Sequence, residues 1–175
     1  MKLDKKIGIL TFNNTTNYGA ALQAYALQKK ITELGYFCDT IKYCNENIDK
    51  LYKPQKISDI KNIKELVKYI LLNNDKKKLY EKFQKFYGSN MNFSCEVDKH
   101  NINKLNKMYD KFIVGSDQIW NLDLSYEDYN YYLQFVDDNN KKNSYAASFG
   151  YSDIPEKYKV NSICELKNFK NISVR

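Results

Sequence analysis

Glycine and proline are scarce in this chain, with 6 and 2 in 175 residues. The chain holds no internal repeat and no low-complexity linker, and loop punctuation falls largely to asparagine and aspartate. No run of about 18 apolar residues is present, so no membrane-spanning helix is expected. Met1 to Lys6 lead straight into a strand pattern without a signal-peptide core, which predicts a cytoplasmic protein, with the inner face of the membrane as a further place of action. The four cysteines, Cys38, Cys44, Cys95 and Cys164, form no CxxC pair, and His100 is the single histidine. A zinc centre or a Cys–His nucleophile is therefore not expected, and no metal is assigned. Arginine is nearly missing: Arg175 is the one arginine among 28 basic residues. The excess of positive charge, +7, then reads as lysine richness shared with 21 Asn, 15 Ile and 16 Tyr, a codon-driven composition. Phosphate and base recognition draws on arginine forks as well as lysine point charges, so nucleic acid is not an expected partner.

What remains is a chain that is 43% hydrophobic and 15% aromatic, of a size for one domain. A chain of this length buries roughly 70% of its unfolded surface. Lys6 to Phe12 form a short apolar strand, after which Ala20, Ala24, Leu27, Ile31 and Leu34 recur at helical spacing up to the stop at Gly35. Phe37 to Tyr43 read as a second strand, parallel to the first through a right-handed crossover. From 53 to 110 the texture changes, with thirteen lysines against seven acidic residues. Ile60, Ile63, Val67 and Ile70, then Leu79, Phe83 and Phe86, predict two amphipathic helices broken at Asn73–Asn74–Asp75, together forming a helical insertion. Its charged face is either solvated or a basic lid over an anionic substrate. Strands resume at Phe112–Val114 and Ser144–Ala147, a helix is expected over 156–169, and Ile172 to Arg175 begin another strand. This alternation predicts an α/β fold with a doubly wound parallel sheet of Rossmann-like or flavodoxin-like type.

Three polar loops follow three of the expected strands: Asn13 to Gly19, Gly115 to Asn121, and Ser148 to Gly150. In an open α/β sheet, ligands sit outside the strands' carboxyl ends, so the loops can converge on one site. The first loop opens a helix, whose N-terminal N–H groups and dipole suit an anion at Gly19; alternatively Thr16 or Asn17 is simply the helix cap. In the second loop, the Asp117 carboxylate, the Gln118 amide and the Trp120 indole suit a sugar, or else Asp117 closes a turn and Trp120 is core.

The strings KIGILTFNNTTNYGAALQAYALQKK (6–30), DKFIVGSDQIWN (110–121), YLQFV (132–136), NSYAASFG (143–150) and ISVR (172–175) resemble, in order and spacing, the polysaccharide pyruvyl transferase family. The resemblance implies transfer of a pyruvyl group from phosphoenolpyruvate to sugar hydroxyls as a ketal. It implies no other cofactor, and a sugar, nucleotide-sugar or lipid-linked glycan acceptor. Members resemble two-domain glycosyltransferases of the GT-B kind, with donor-binding cations and a catalytic histidine in the second half. This chain, 1–175, is accordingly expected to be a single N-terminal domain whose C-terminal domain is absent, inactive alone or dependent on a partner chain carrying the other half. Asn14, Asn17, Tyr18, Gly19, Gln23, Ser116, Gln118 and Ser148 match first-half motifs and are the candidates for substrate binding, with Asp117 as the candidate catalytic residue. The alternative is a stand-alone sugar or nucleotide-sugar binding module acting with a partner.

Overall fold

Four parallel strands form the main sheet, and the order in which they lie decides where a ligand can enter. A computed structural model describes residues 3–54, 60 and 62–174. Strand β1 (Leu3–Leu10) leads into helix α1 (Tyr18–Glu33), which returns to β2 (Tyr36–Thr40). A two-residue strand β3 (Tyr43–Cys44) and helix α2 (Glu46–Tyr52) precede the long helix α3 (Ile63–Asn90). The chain continues through β4 (Val97–Asp98), β5 (Lys111–Asp117), α4 (Leu122–Ser125), β6 (Lys142–Ala147) and α5 (Glu156–Leu166). The main sheet runs β2-β1-β5-β6, and β3 pairs with β4 in a small second sheet. Isolated parallel bridges, Asn143 to Asn171 and Ala147 to Val174, extend the order beyond β6, where the sequence predicts a further strand; Arg175 lies outside the described residues.

The sheet is covered on both faces, which is why its strands read as near-continuous apolar runs. Ile7 and Ile9 point to one face and pack with Ile31 of α1 and Cys38 of β2. Leu10, Phe112 and Val114 point to the other, into the larger core around Trp120, Leu122 and Tyr132. Helix α1 is buried on two sides, because Ala21 and Ala24 accept Phe83 and Tyr87 of α3, with Met91 just beyond its end, on the face away from the sheet. Alanine at both positions lets the helices approach closely. Leu34, placed by its spacing on the buried face, is instead the exposed C-cap of α1.

Two expectations are corrected. The insertion carries one helix of 28 residues, not two broken at Asn73–Asp75. Asparagine and aspartate disfavour a helix interior by only a fraction of a kcal/mol each, and with no proline or glycine at the junction the adjoining Lys76–Lys78 carry the helix through. The second strand also stops at Thr40. Beyond it the chain leaves the sheet, and Tyr43–Cys44 pairs with Val97–Asp98 at the insertion's return. That return segment lies along the β2 edge: Thr40 N–H donates to Asn92 O at 2.9 Å, and Ser94 N–H donates to Thr40 O at 3.0 Å. Buried Gln28 of α1 locks it by donating to Asn92 O at 2.6 Å and accepting from Asn92 N–H at 2.9 Å.

Candidate functional site

Counting only the strands of the main sheet, the order is second, first, third, fourth, so the topology reverses between β1 and β5. A doubly wound sheet opens its ligand crevice at such a point, outside the carboxyl ends. The crevice floor is held by Gln23, one turn into α1. Its amide donates to Thr11 Oγ1 at 2.9 Å, and its carbonyl accepts from Ser116 N–H at 3.1 Å and Ser116 Oγ at 2.6 Å. One side chain thus ties the ends of both strands to the helix that follows the first.

The backbone around β5's end departs from ordinary strand geometry. The Gly115–Ser116 peptide is cis, and Asp117 (φ 75°) and Ala146 (φ 49°) take left-handed conformations on adjoining strands. Non-glycine residues in that region persist where surrounding contacts impose them, and they concentrate at functional sites. Here the contacts are Ser148 N–H and Oγ, which donate to Asp117 O at 2.9 and 3.2 Å. Gly115 is required: a Cβ there would lie 2.1 Å from Tyr145 O. Gly150 is as well, for its φ is +71° and a Cβ would meet Gln118 Oε1 at 2.3 Å. The third loop therefore packs its backbone against the Gln118 side chain. Tyr151 completes the link, its hydroxyl lying 2.6 Å from Asn121 Oδ1 and 2.7 Å from Asp123 Oδ2, with its one proton between the two acceptors. Hydrogen bonds from Tyr158 and Tyr151 hold the Asp123 carboxyl down at about 2.

Six of the nine candidates line one cavity of about 560 Å³: Asn17, Gly19, Gln23, Ser116, Asp117 and Gln118, joined by Ala20 and Ala146. An adjoining lobe of about 200 Å³ shares Asn17, Ala20, Asp117 and Gln118 and gains an apolar wall from Ile48, Leu51 and Tyr52 of α2. Sequence reasoning missed that wall, although Asn45 followed by Glu46 and Asp49 is a readable helix start: the Asn45 side chain accepts from Asn47 and Ile48 N–H. At the mouth, Asn17 caps α1 by accepting from Ala20 N–H at 3.1 Å. Asn17 is therefore the helix cap, and no acidic side chain occupies the first turn of α1. A helix dipole favours a negative group near such a start by about 0.3–1 kcal/mol.

The other three candidates lie elsewhere. Tyr18 is 68% exposed and packs its ring on Phe83 of α3 at 4.9 Å. Ser148 is bound to the Asp117 backbone and supports the cleft from beneath. Asn14 turns away to donate to Asp49 Oδ1 at 2.6 Å. Trp120 is 1% exposed, stacked on Tyr132 at 5.9 Å and against Phe149 at 5.4 Å. It belongs to the core, and a sugar in the cleft has to be recognised without it.

Asn14 faces a second hollow, of about 410 Å³, between α3, β3 and the insertion's return. Its Oδ1 accepts from Tyr80 OH and Gln84 Nε2, both at 3.3 Å. On the rim, Lys42 pairs with Glu96 at 2.9 Å and Lys53 with Asp49 at 2.6 Å. The Lys42 ammonium holds the Glu96 carboxyl below its ordinary range. Partial burial opposes the Lys53 charge, yet the Asp49 carboxylate outweighs it and raises the ammonium's pKa. Burial likewise raises the Tyr80 phenol. His100 lines a separate acidic hollow with Asp98 and Asp128. Among the described residues no group of three or more His, Cys, Asp or Glu is placed to hold a metal ion, and no helix is long and apolar enough to cross a membrane.

A family model described as polysaccharide pyruvyl transferase matches residues 17–175, most of the chain. No curated protein and no solved structure matches it significantly.

Proposed function

The chain belongs to the polysaccharide pyruvyl transferase family, and from that premise we propose that its crevice between β1 and β5 holds the sugar acceptor to which a pyruvyl group is transferred from phosphoenolpyruvate. The reaction forms two C–O bonds at the enol carbon, one to each of two sugar hydroxyls. The bond from that carbon to the phosphate oxygen breaks. Of the two hydroxyl protons released, one converts the methylene to a methyl group and the other leaves with the phosphate. Asp117 orients the attacking hydroxyl and accepts its proton, while the Gln118 amide and Ser116 hydroxyl hold the neighbouring oxygens. Asn17 and Gly19, at the start of α1, face the acceptor or the donor carboxylate.

The observation that carries this reading is the convergence of six motif residues, from the start of α1 and from the end of β5, segments separated by the whole insertion, on one cavity at the point of topological reversal. Protonating the methylene and holding the donor's phosphate and carboxylate require an acid and cations, which we assign to a second, GT-B-like half. The deciding experiment measures glycan affinity on residues 1–175, and acceptor-dependent phosphate release from phosphoenolpyruvate on a chain joined to a donor-binding half. Asp117→Asn is expected to lower release by about 100-fold or more, with glycan affinity and melting temperature nearly kept. Full release by Asp117→Asn overturns its role, and release by residues 1–175 alone overturns the requirement for a second half.

A further inference from the structure

The loop from β1 to α1 serves two cavities. Asn17 and Gly19 face the crevice, whereas Asn13 and Asn14 line the hollow beneath α3. That hollow has the chemistry of a carbohydrate site. Half-buried Tyr80 and Phe93 supply ring faces on which the C–H groups of a pyranose can lie. Asn14 and Gln84 supply donors and acceptors, and the Lys42–Glu96 pair offers one of each at the rim. At about 410 Å³ it is roomy enough for one or two sugar rings.

The Asn14 acceptor is held loosely on this side. The bonds from Tyr80 and Gln84 are both 3.3 Å, long for their type, whereas the Asp49 bond on the other side is 2.6 Å. Two donors sharing one oxygen at that length can be exchanged for ligand hydroxyls without breaking the Asn14–Asp49–Lys53 chain that fixes the loop. Because Lys42 and Lys53 are each already paired with a carboxylate, the hollow favours a neutral ligand over an anion.

We propose that this hollow is a second glycan subsite, binding a neutral pyranose unit remote from the one modified in the crevice, with Gln84, Tyr80 and Asn14 as its recognition residues. The proposal rests on the reading of the chain as acting on a glycan. Recognition of a second unit would select the acceptor by its length and sequence, and the insertion, which builds most of the hollow, would be the element that sets that selection.

The test is protein-observed NMR of isotope-labelled residues 1–175, titrated with the methyl glycosides of glucose, mannose and N-acetylglucosamine to about 50 mM, enough to detect millimolar affinity. Saturable shifts of the Gln84 and Asn14 side-chain amides with at least one probe are expected. Gln84→Ala should weaken that titration about fivefold while leaving the melting temperature and any crevice shifts in place. Tyr80→Phe, which keeps the ring and removes only the hydroxyl, should weaken it less than Gln84→Ala. Shifts confined to Asn17, Ser116 and Gln118 overturn the second subsite and leave the crevice reading standing. Shifts at neither place overturn both.

Discussion

Gly150→Ala perturbs the cleft through a single methyl group, and its cost separates into two parts. The first is backbone: at φ +71° an L-residue in the left-handed region costs about 1–2 kcal/mol. The second is steric, since the new Cβ would sit 2.3, 2.6 and 2.9 Å from Oε1, Cδ and Cγ of Gln118. All three atoms belong to the distal part of one flexible side chain, so Gln118 can swing away, losing its 3.4 Å contact with Asn121 Nδ2. Rotation off its present rotamer and loss of that weak bond add about 1 kcal/mol. Gly150→Ala should therefore destabilise by about 2–3 kcal/mol, a fall of several degrees in melting temperature for a chain of this size. Gln118→Ala alone should cost under about 1 kcal/mol, because its side chain is largely unbonded. In the double variant the steric part vanishes, so urea unfolding should show a coupling of about 1 kcal/mol between the sites. Strict additivity, with the double variant as costly as the two singles summed, would refute the claim that Gly150 is required by Gln118. Glycan affinity measured on the same proteins should fall in both single variants, because each removes the amide from its place in the cleft.

Gln23→Ala strips three hydrogen bonds from the crevice floor and leaves the Ser116 N–H unpaired, for an expected loss of about 2–3 kcal/mol in chemical denaturation; a loss below about 0.5 kcal/mol would show that the two strand ends hold their positions without it. Asn17→Ala removes the α1 cap and should cost about 1 kcal/mol, whereas Asn17→Ser should restore most of it. Burial, with the Asp39 carboxylate adding to it, pushes the Cys38 thiol from its ordinary 9.0 to about 12. The folded state keeps the proton that the unfolded chain gives up, so this contribution is whole below pH 9 and is lost as the pH rises toward 12. Cys38→Ala should flatten that part of an alkaline stability profile, and an unchanged slope would contradict the burial argument. With an alkylating reagent, exposed Cys95 and Cys164 should react before Cys44 and Cys38, which mass spectrometry of partial digests resolves.

The parts of the fold legible in the sequence are those in which one segment decides its own structure. Ile7 and Ile9 on β1, the Ala20–Ala24 face of α1, and the apolar Phe112–Val114 of β5 all read correctly because local period and burial agree there. Asn73–Asn74–Asp75 misled because polar residues weaken a helix without stopping it. The Phe37–Tyr43 run misled for a different reason: its last residues pair with Val97–Asp98, more than fifty positions away, and no local signal announces that partner. The crevice was legible as three loops after three strands. What stayed hidden was which way individual side chains turn within a loop. Adjacent Asn13, Asn14, Thr15 and Asn17 go to different cavities, and Trp120 goes into the core rather than over the site.

The segment that brings the chain back from α3 does more than close a loop. Through its two backbone bonds to Thr40 it covers the end of β2's outer edge, which would otherwise present an open donor and acceptor to a second molecule. An insertion that looks dispensable for the sheet is thus also its guard against edge-to-edge association. A variant in which residues 91–94 no longer reach Thr40 should therefore aggregate more readily than the intact chain, even with every strand of the sheet in place.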